Sequence, residues 1–211
     1  MKLYGFPPSP NTWKVRAVAA HLGLPLELEL VDLTKGQQRT PEFLALNPTG
    51  RTPVLVDRDF ILWESNAILQ YLADQKPNSL WPNDTRKRAD IARWLSWQLA
   101  HWGPEGCTPV IFQRVVKAAL NLGPPDDAVV AKGLEAFHRD ARLLNAHLAK
   151  QKHLVGGDLT LADFSVASPL FLAARAELPL APYGHVRDWF ARVSAVPAWA
   201  QTAPKPVAAA A

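Results

Sequence analysis

Strand-like alternation in this chain is confined to its first 64 residues, and from residue 85 onward every periodic segment has helical spacing. A chain divided in this way predicts an α/β unit followed by an all-helical one, each with its own core. Residues 2–5, KLYG, read as a short strand. A polar, proline-rich turn (FPPSPN) follows, and then Val15, Val18, Ala19 and Leu22 fall at helical spacing until Gly23 stops the helix. LELELVD at 26–32 alternates Leu26, Leu28 and Leu30 with Glu27 and Glu29, the pattern of a strand with one wet face. These three segments make a βαβ unit.

A poorly periodic loop covers 34–51. PVLVD at 53–57 and FILWE at 60–64 are then separated only by Arg58 and Asp59, a spacing that predicts an antiparallel hairpin. Ser65 is a good N-cap for a helix carrying Ile68, Leu69 and Leu72 on one face. The stretch QKPNSLWPND, with two prolines and no periodicity, reads as a linker. The expected organisation is therefore a first domain over 1–75, a linker over 76–84, a helical domain over 85–205 and a frayed tail over 206–211. Helices are expected at 86–102, 109–121, 126–150, 160–176 and 185–195, interrupted at Gly103, Pro104 and Gly106 and at the GPP of 123–125. Thr160 and Asp163 resemble a capping box, with Leu159 and Phe164 placed for a hydrophobic staple, so this segment is read as structural.

Composition removes several classes of function. The 211 residues suffice for one or two domains. The single cysteine, Cys107, forms no intrachain disulfide and no metal cluster. No stretch approaches the roughly 18 apolar residues of a membrane span, and LYGFPPSPN after Lys2 has no signal-peptide core, so a cytoplasmic protein with no membrane partner is expected. The net charge of +4 is spread along the chain, with RKR at 86–88 its densest run, which favours a small anionic ligand over nucleic acid.

Three segments carry a resemblance: NPTGRTPVLVD at 47–57, ESNAILQYL at 64–72 and GGDLTLADF at 156–164. With the βαβ-ββα order, the linker and the helical second half, they resemble the cytosolic glutathione transferases along the whole chain. The SPN loop at 9–11 looks most like the bacterial serine or threonine type of that family. The resemblance implies a fold in which an N-terminal thioredoxin-like α/β domain (βαβ-ββα) precedes an all-α helical-bundle domain. It also implies glutathione as co-substrate, no metal, and a homodimer. Thr52 departs from the Val or Ile usual before the proline, at a place where the backbone does the binding.

A thioredoxin-like fold usually carries CxxC at its first loop, and this chain has Ser9, Pro10, Asn11 and Thr12 there. The reactive sulfur must then come from the ligand. Lowering a thiol pKa by about two units from near 8.5 takes about 2.7 kcal/mol of preferential stabilisation of the thiolate. Ser9 is assigned as a hydrogen-bond donor to that sulfur, with the helix N-terminus beside it and the Asn11 amide as a second donor. Read without the family, Ser9 is only an N-cap followed by Pro10 at the first helical position.

The remaining roles follow from the resemblance. Thr52-Pro53, if cis, holds the cysteinyl backbone of glutathione. Glu64 and Ser65, at a helix start, hold its γ-glutamyl head group. Gln38 and Arg51 face the glycyl carboxylate, with Lys35 and Arg39 as rivals. Among Trp13, Trp97, Trp102, Cys107 and Phe112, the pair Trp102 and Phe112 is assigned to the second, electrophilic substrate, and His101 is read as a surface or structural histidine. The expected reaction is attack of the glutathione thiolate on a small hydrophobic electrophile. A glutathione-dependent disulfide reductase or peroxidase is an alternative, and a non-catalytic glutathione-binding module is another.

Overall fold

A computed structural model describes residues 1–204, and the tail expected to fray over 206–211 lies outside the described residues. The described chain separates into two compact units, one formed by Met1–Trp81 with residues 196–204, the other by Pro82–Ala195. The two have the α/β and all-helical characters that the periodicity predicts.

In the first unit the order is β1 (Lys2–Gly5), α1 (Pro10–His21), β2 (Glu27–Leu30), α2 (Pro41–Leu46), β3 (Val54–Asp57), β4 (Phe60–Trp63) and α3 (Ser65–Ala73). The sheet runs β2-β1-β3-β4, with β1 parallel to β2 and antiparallel to β3, and β3 antiparallel to β4. Alternate side chains of a strand face opposite ways, so each central strand feeds two layers of core. Leu3 and Leu55 stand opposite each other in register, both fully buried. Their neighbours Tyr4 and Val54 join Phe43, Val31 and Leu46 in a cluster that draws on α2. On the helical side α1 and α3 pack together, burying Val15, Val18, Ile68, Leu69 and Leu72. The α2 helix escaped the periodicity because it has only six residues; Thr40 Oγ1 caps it, accepting from Phe43 N–H at 3.4 Å.

The chain from Val196 returns to this unit through a short helix, Pro197–Gln201, which packs on α1. The rings of Trp13 and Trp199 lie 4.0 Å apart, and Trp13 Nε1 donates to the Trp199 carbonyl at 3.2 Å. Arg16 adds a bond to the Thr202 carbonyl at 3.3 Å.

The helical unit begins with α4 (Thr85–Trp97), capped by Asp84 Oδ1, which accepts from Lys87 N–H. The break expected at Gly103, Pro104 and Gly106 does not occur. The helix instead widens into a π-helical stretch, Gln98–Cys107, and continues through Thr108–Ile111, a second π stretch Phe112–Val116 and a last turn Lys117–Ala119. Proline disrupts an α-helix through its missing N–H and its clash with the carbonyl four residues back. Where the bonds run to the fifth residue back, that constraint is eased. The glycines serve packing: a Cβ on Gly106 would come within 3.1 Å of the Phe137 Cα.

The GPP segment does end the helix, and Asp126 then caps α5 (Asp127–Leu148). The helix expected over 160–176 is shorter. As α6 it runs Leu161–Ala167 and tightens to a 3₁₀ stretch, Ser168–Leu172, where Pro169 removes a donor. The last helix of the unit, α7, is Gly184–Ser194, so the short helix on α1 is α8 (Pro197–Gln201).

Asp163 in the first turn of α6 is wholly buried. Its Oδ2 accepts from the Thr160 N–H at 2.8 Å and the Thr160 hydroxyl at 3.1 Å. Its Oδ1 accepts from Leu154 N–H at 3.0 Å and Trp189 Nε1 at 2.8 Å. The carboxylate thus ties the loop before α6 to α7, beyond the local cap that the sequence suggests.

Candidate functional site

The strand registers decide where the loops of the first unit meet. Tyr4 pairs with Val54 and Val54 with Trp63, so the loop after β1, the Thr52-Pro53 segment before β3 and the Glu64-Ser65 junction after β4 leave the sheet at one end. Gly5 pairs with Leu30, which brings the chain after β2, leading to Gln38, out at that same end. The ligand-binding candidates of the first unit therefore lie on loops or helix starts at the carboxyl end of β1 and β2. Open α/β sheets commonly bind ligands there.

Ser9 sits at the start of α1 with extended backbone (φ −73°, ψ 130°) and makes no side-chain capping bond. Its backbone is fully used, since its N–H donates to the Phe6 carbonyl and its carbonyl accepts from Trp13 N–H, both at 2.9 Å. The capping reading of Ser9 fails on this point: the hydroxyl is not spent on the helix end. Pro10 occupies the first turn, where its missing N–H costs nothing.

Asn11, one residue into α1, is bonded to Ser65 across the unit, with the Ser65 hydroxyl donating to Asn11 Oδ1 at 3.3 Å. That bond uses the amide oxygen and so leaves the amide N–H groups as donors. Glu64 precedes α3 with φ 70° and ψ 108°, a conformation that L-residues rarely adopt. Beyond it, the first N–H groups of α3 have no intrahelical acceptor and carry the positive end of the helix dipole.

Beside this junction Lys14 is fully buried, and its Nζ donates to Asn66 Oδ1 at 2.7 Å. Burial lowers its pKa to about 7, against the opposing pull of the Glu64 carboxylate. Sequence reading passed over Lys14 because a lysine in an amphipathic helix is ordinarily on the wet face.

The Thr52-Pro53 peptide bond is cis. The ladder of β3 starts only at Val54, so Thr52 stands outside the sheet pairing. Asn47 shapes the loop before it, donating from Nδ2 to the Arg51 carbonyl at 2.7 Å and accepting from Thr49 N–H at 3.1 Å. Gly50, at φ 63°, lets the 36–40 segment approach: a Cβ there would lie 2.9 Å from Arg39 Nη1 and 3.1 Å from the Gln38 carbonyl. Gln38 and Arg51 are thereby brought to one place, and Arg39, named only as a rival, is brought with them. The Gln38 Oε1 atom is buried and has no hydrogen-bond partner among the described residues.

The helical unit corrects one assignment. Trp102 is fully buried, donates its indole N–H to the Val166 carbonyl at 3.0 Å and stacks against Trp97 and Phe137. It offers no surface to a second substrate; aromatic residues at helical spacing made core here. Phe112 is exposed and remains available. Cys107 is buried, and burial raises its thiol pKa well above the usual value, so it is no nucleophile at neutral pH. His101 is exposed and faces Glu105 at 3.4 Å, a surface role as expected. Among the described residues no group of three or more His, Cys, Asp or Glu is placed to hold a metal ion, and no helix is long and apolar enough to cross a membrane.

The strain at Glu64 is separable from its charge. Glu64→Gly relieves an unfavourable φ, worth about 1–3 kcal/mol, and is expected to raise the melting temperature while weakening binding of any zwitterionic amino-acid head group at least about tenfold. Thermal melts and calorimetric titration with glutathione check both halves; a variant that loses stability refutes the strain.

Comparison with known proteins gives a consistent result. The model of the glutathione S-transferase N-terminal domain matches residues 1–74, and that of the glutathione S-transferase C-terminal domain matches residues 127–192. Glutathione S-transferase 3 of Zea mays is 40% identical over 208 residues, which is 96% of this chain and 92% of that protein. A probable glutathione S-transferase, GSTF2, of Oryza sativa subsp. japonica is 34% identical over 200 residues, covering 93% of each. Among solved structures, glutathione S-transferase-I bound with lactoylglutathione superposes with a TM-score of 0.85 at 30% identity, over 96% of this chain and 97% of that one. The two sequence relatives are plant proteins, so the bacterial subtype expected from the SPN loop is not supported. Three residues of loop are too short to fix a subclass when similarity over the whole chain points elsewhere.

Proposed function

Because this chain belongs to the glutathione S-transferase family and is a glutathione transferase, with glutathione as co-substrate, we propose how its residues divide the work. The Ser9 hydroxyl donates a hydrogen bond to the glutathione sulfur, and the Asn11 amide supplies a second donor. Both favour the thiolate over the thiol. The Thr52 backbone, before Pro53, pairs with the cysteinyl residue. Glu64 takes the γ-glutamyl ammonium, while the N–H groups at the start of α3, that of Ser65 among them, take its carboxylate and the Ser65 hydroxyl stays on Asn11. Gln38 and Arg51, with Arg39, take the glycyl carboxylate.

The observation that supports this division is the convergence of four loops at one end of the sheet, set by the pairs Tyr4 with Val54, Val54 with Trp63, and Gly5 with Leu30. An extended tripeptide spans about 10 Å, a length suited to crossing loops of neighbouring strands, which lie about 4.8 Å apart. No side chain of the protein becomes covalently bound. The thiolate sulfur attacks the electrophile's carbon, the leaving group departs with the electron pair of the broken bond, and the proton lost from the thiol passes to solvent. The protein contributes pKa depression and positioning. Phe112 is proposed as an apolar contact of the electrophile. A homodimer in the cytoplasm is the assembly and location that the family reading carries.

The test is turnover with glutathione and three acceptors: a chlorodinitrobenzene, an organic peroxide and a small disulfide. Conjugation of the aromatic is the expected outcome. Reduction of peroxide or disulfide without conjugation would move the reading to a different acceptor. An absence of saturable glutathione binding would overturn it.

A further inference from the structure

We propose that Lys14 is a positioning residue for the γ-glutamyl end of glutathione, acting through Asn66 to fix the start of α3 against the start of α1. The proposal rests on the assignment of Glu64 and Ser65 to that end of the ligand. Hydrogen bonds join the helix starts, among them Ser65 to Asn11 at 3.3 Å and Lys14 to Asn66 at 2.7 Å. Asn11 and Lys14 are three residues apart, one turn of α1, and Ser65 and Asn66 are the first two residues of α3. The pair forms a clamp whose outer rung is made of proposed ligand-binding residues and whose inner rung is Lys14 with Asn66.

The outer rung alone is a weak hinge. Its single bond is long, and the adjoining Glu64 is held at a φ that a free chain would leave. The inner rung is shorter, fully out of water on the lysine side, and made by a group whose donors come as a rotatable set of three. Holding Asn66 there holds Ser65 beside it, and with it the orientation of the first free N–H groups of α3.

Stability alone does not account for a lysine in this place. Burial lowers its pKa from 10.5 to about 7, so the unfolded chain binds the proton more tightly than the folded one. The group therefore costs stability, in full below pH 7 and progressively less as pH rises from about 7 toward 10.5. A methionine of similar length would fill the space without that cost. The bond to Asn66, beside the residues proposed to hold the ligand, is the geometric ground for a role in binding.

The experiment compares wild type with Lys14→Met and Lys14→Gln, using S-methylglutathione binding by calorimetry and conjugation of a chlorodinitrobenzene with glutathione or with cysteinylglycine, which lacks the γ-glutamyl group. For Lys14→Met the expected result is a rise of about tenfold in KM for glutathione with kcat changed less than about threefold, a split that marks lost ground-state positioning. The melting temperature at pH 7 is expected to be equal or higher. The loss in kcat/KM is expected to be at least about fivefold smaller with cysteinylglycine, because a residue acting on the γ-glutamyl end has nothing to position there. Lys14→Gln, which keeps an N–H donor for Asn66, is expected to recover part of the KM. Equal losses with both thiols, or an unchanged glutathione KM, overturn the proposal. If wild type binds no S-methylglutathione, the glutathione reading itself falls; if wild type binds and Lys14→Met binds equally well, only this inference does. Should Lys14→Met fail to fold, Asn66→Ala cuts the same bond from the other side and is read by the same ratios.

Discussion

Replacing Ser9 with alanine is expected to raise the pKa of bound glutathione by about one to two units and to lower kcat/KM near pH 6.5 by about a hundredfold, the loss typical of removing one donor to a developing or bound anion. The sign follows from the chemistry. In the proposed role Ser9 donates more strongly to an anionic sulfur than to a thiol, so its removal disfavours the thiolate. The missing rate is then recovered as pH rises, because hydroxide in solution performs the deprotonation that the site no longer assists. The Ser9 hydroxyl makes no bond to its own helix, and Asn11 keeps its amide N–H groups while its Oδ1 accepts from Ser65, so both proposed donors are open to the sulfur. Ultraviolet titration of the thiolate in the binary complex measures the pKa directly. An unmoved value transfers the role to Asn11 or to the N–H groups at the start of α1.

The largest expected effect on stability belongs to Asp163, far along the chain from these loops. Asp163→Ala strips the acceptor from four donors: Thr160 N–H, the Thr160 hydroxyl, Leu154 N–H and Trp189 Nε1. A buried donor left without an acceptor costs about 1–3 kcal/mol, so the sum is at least about 4 kcal/mol, against a total stability of about 5–15 kcal/mol. The protein is expected to melt at least about 10 °C lower or to be recovered unfolded. Asp163→Asn retains one oxygen and is expected to fall between alanine and wild type. A loss of under about 3 °C for the alanine variant would show that water replaces the carboxylate, contrary to its complete burial. Glutathione affinity per folded molecule should be unchanged in whatever fraction folds, which separates this residue from the binding loops.

Within the fold, some elements were legible because a local pattern coincides with a physical requirement. The two residues between PVLVD and FILWE set a hairpin, and the observed pairing of Asp57 with Phe60 follows from that spacing. The SPN loop marked the start of α1, and the ESNAI segment marked the start of α3. Other elements were opaque for equally physical reasons. A six-residue helix such as α2 shows less than two turns of periodicity. The π winding through Pro104 comes with close packing of Gly106 on Phe137, a contact that no local rule contains. Trp102 read as a pocket wall, since sequence cannot tell which side of a helix meets a neighbour.

The candidate site divides in the same way. Ser9, Asn11, Glu64 and Ser65 were readable because each sits at a helix start, where unpaired N–H groups make anion chemistry available. Asn47 was not, and Arg39 stood only as a rival, because their places depend on how the 36–40 and 47–51 loops approach each other at Gly50. Lys14 was hidden by the expectation that charge faces water.

What the amino-acid sequence determined by itself was the type and order of the elements, the absence of a protein thiol in the first loop, and thus the need for an external sulfur. Those properties are local, set by side-chain periodicity, by caps and by which atoms a residue carries. Tertiary structure alone decided that four separate loops leave one end of the sheet, that the chain after Val196 returns to α1, and that a lysine is sealed beneath the two helix starts. Each depends on residues distant along the chain, brought together by strand register and by burial.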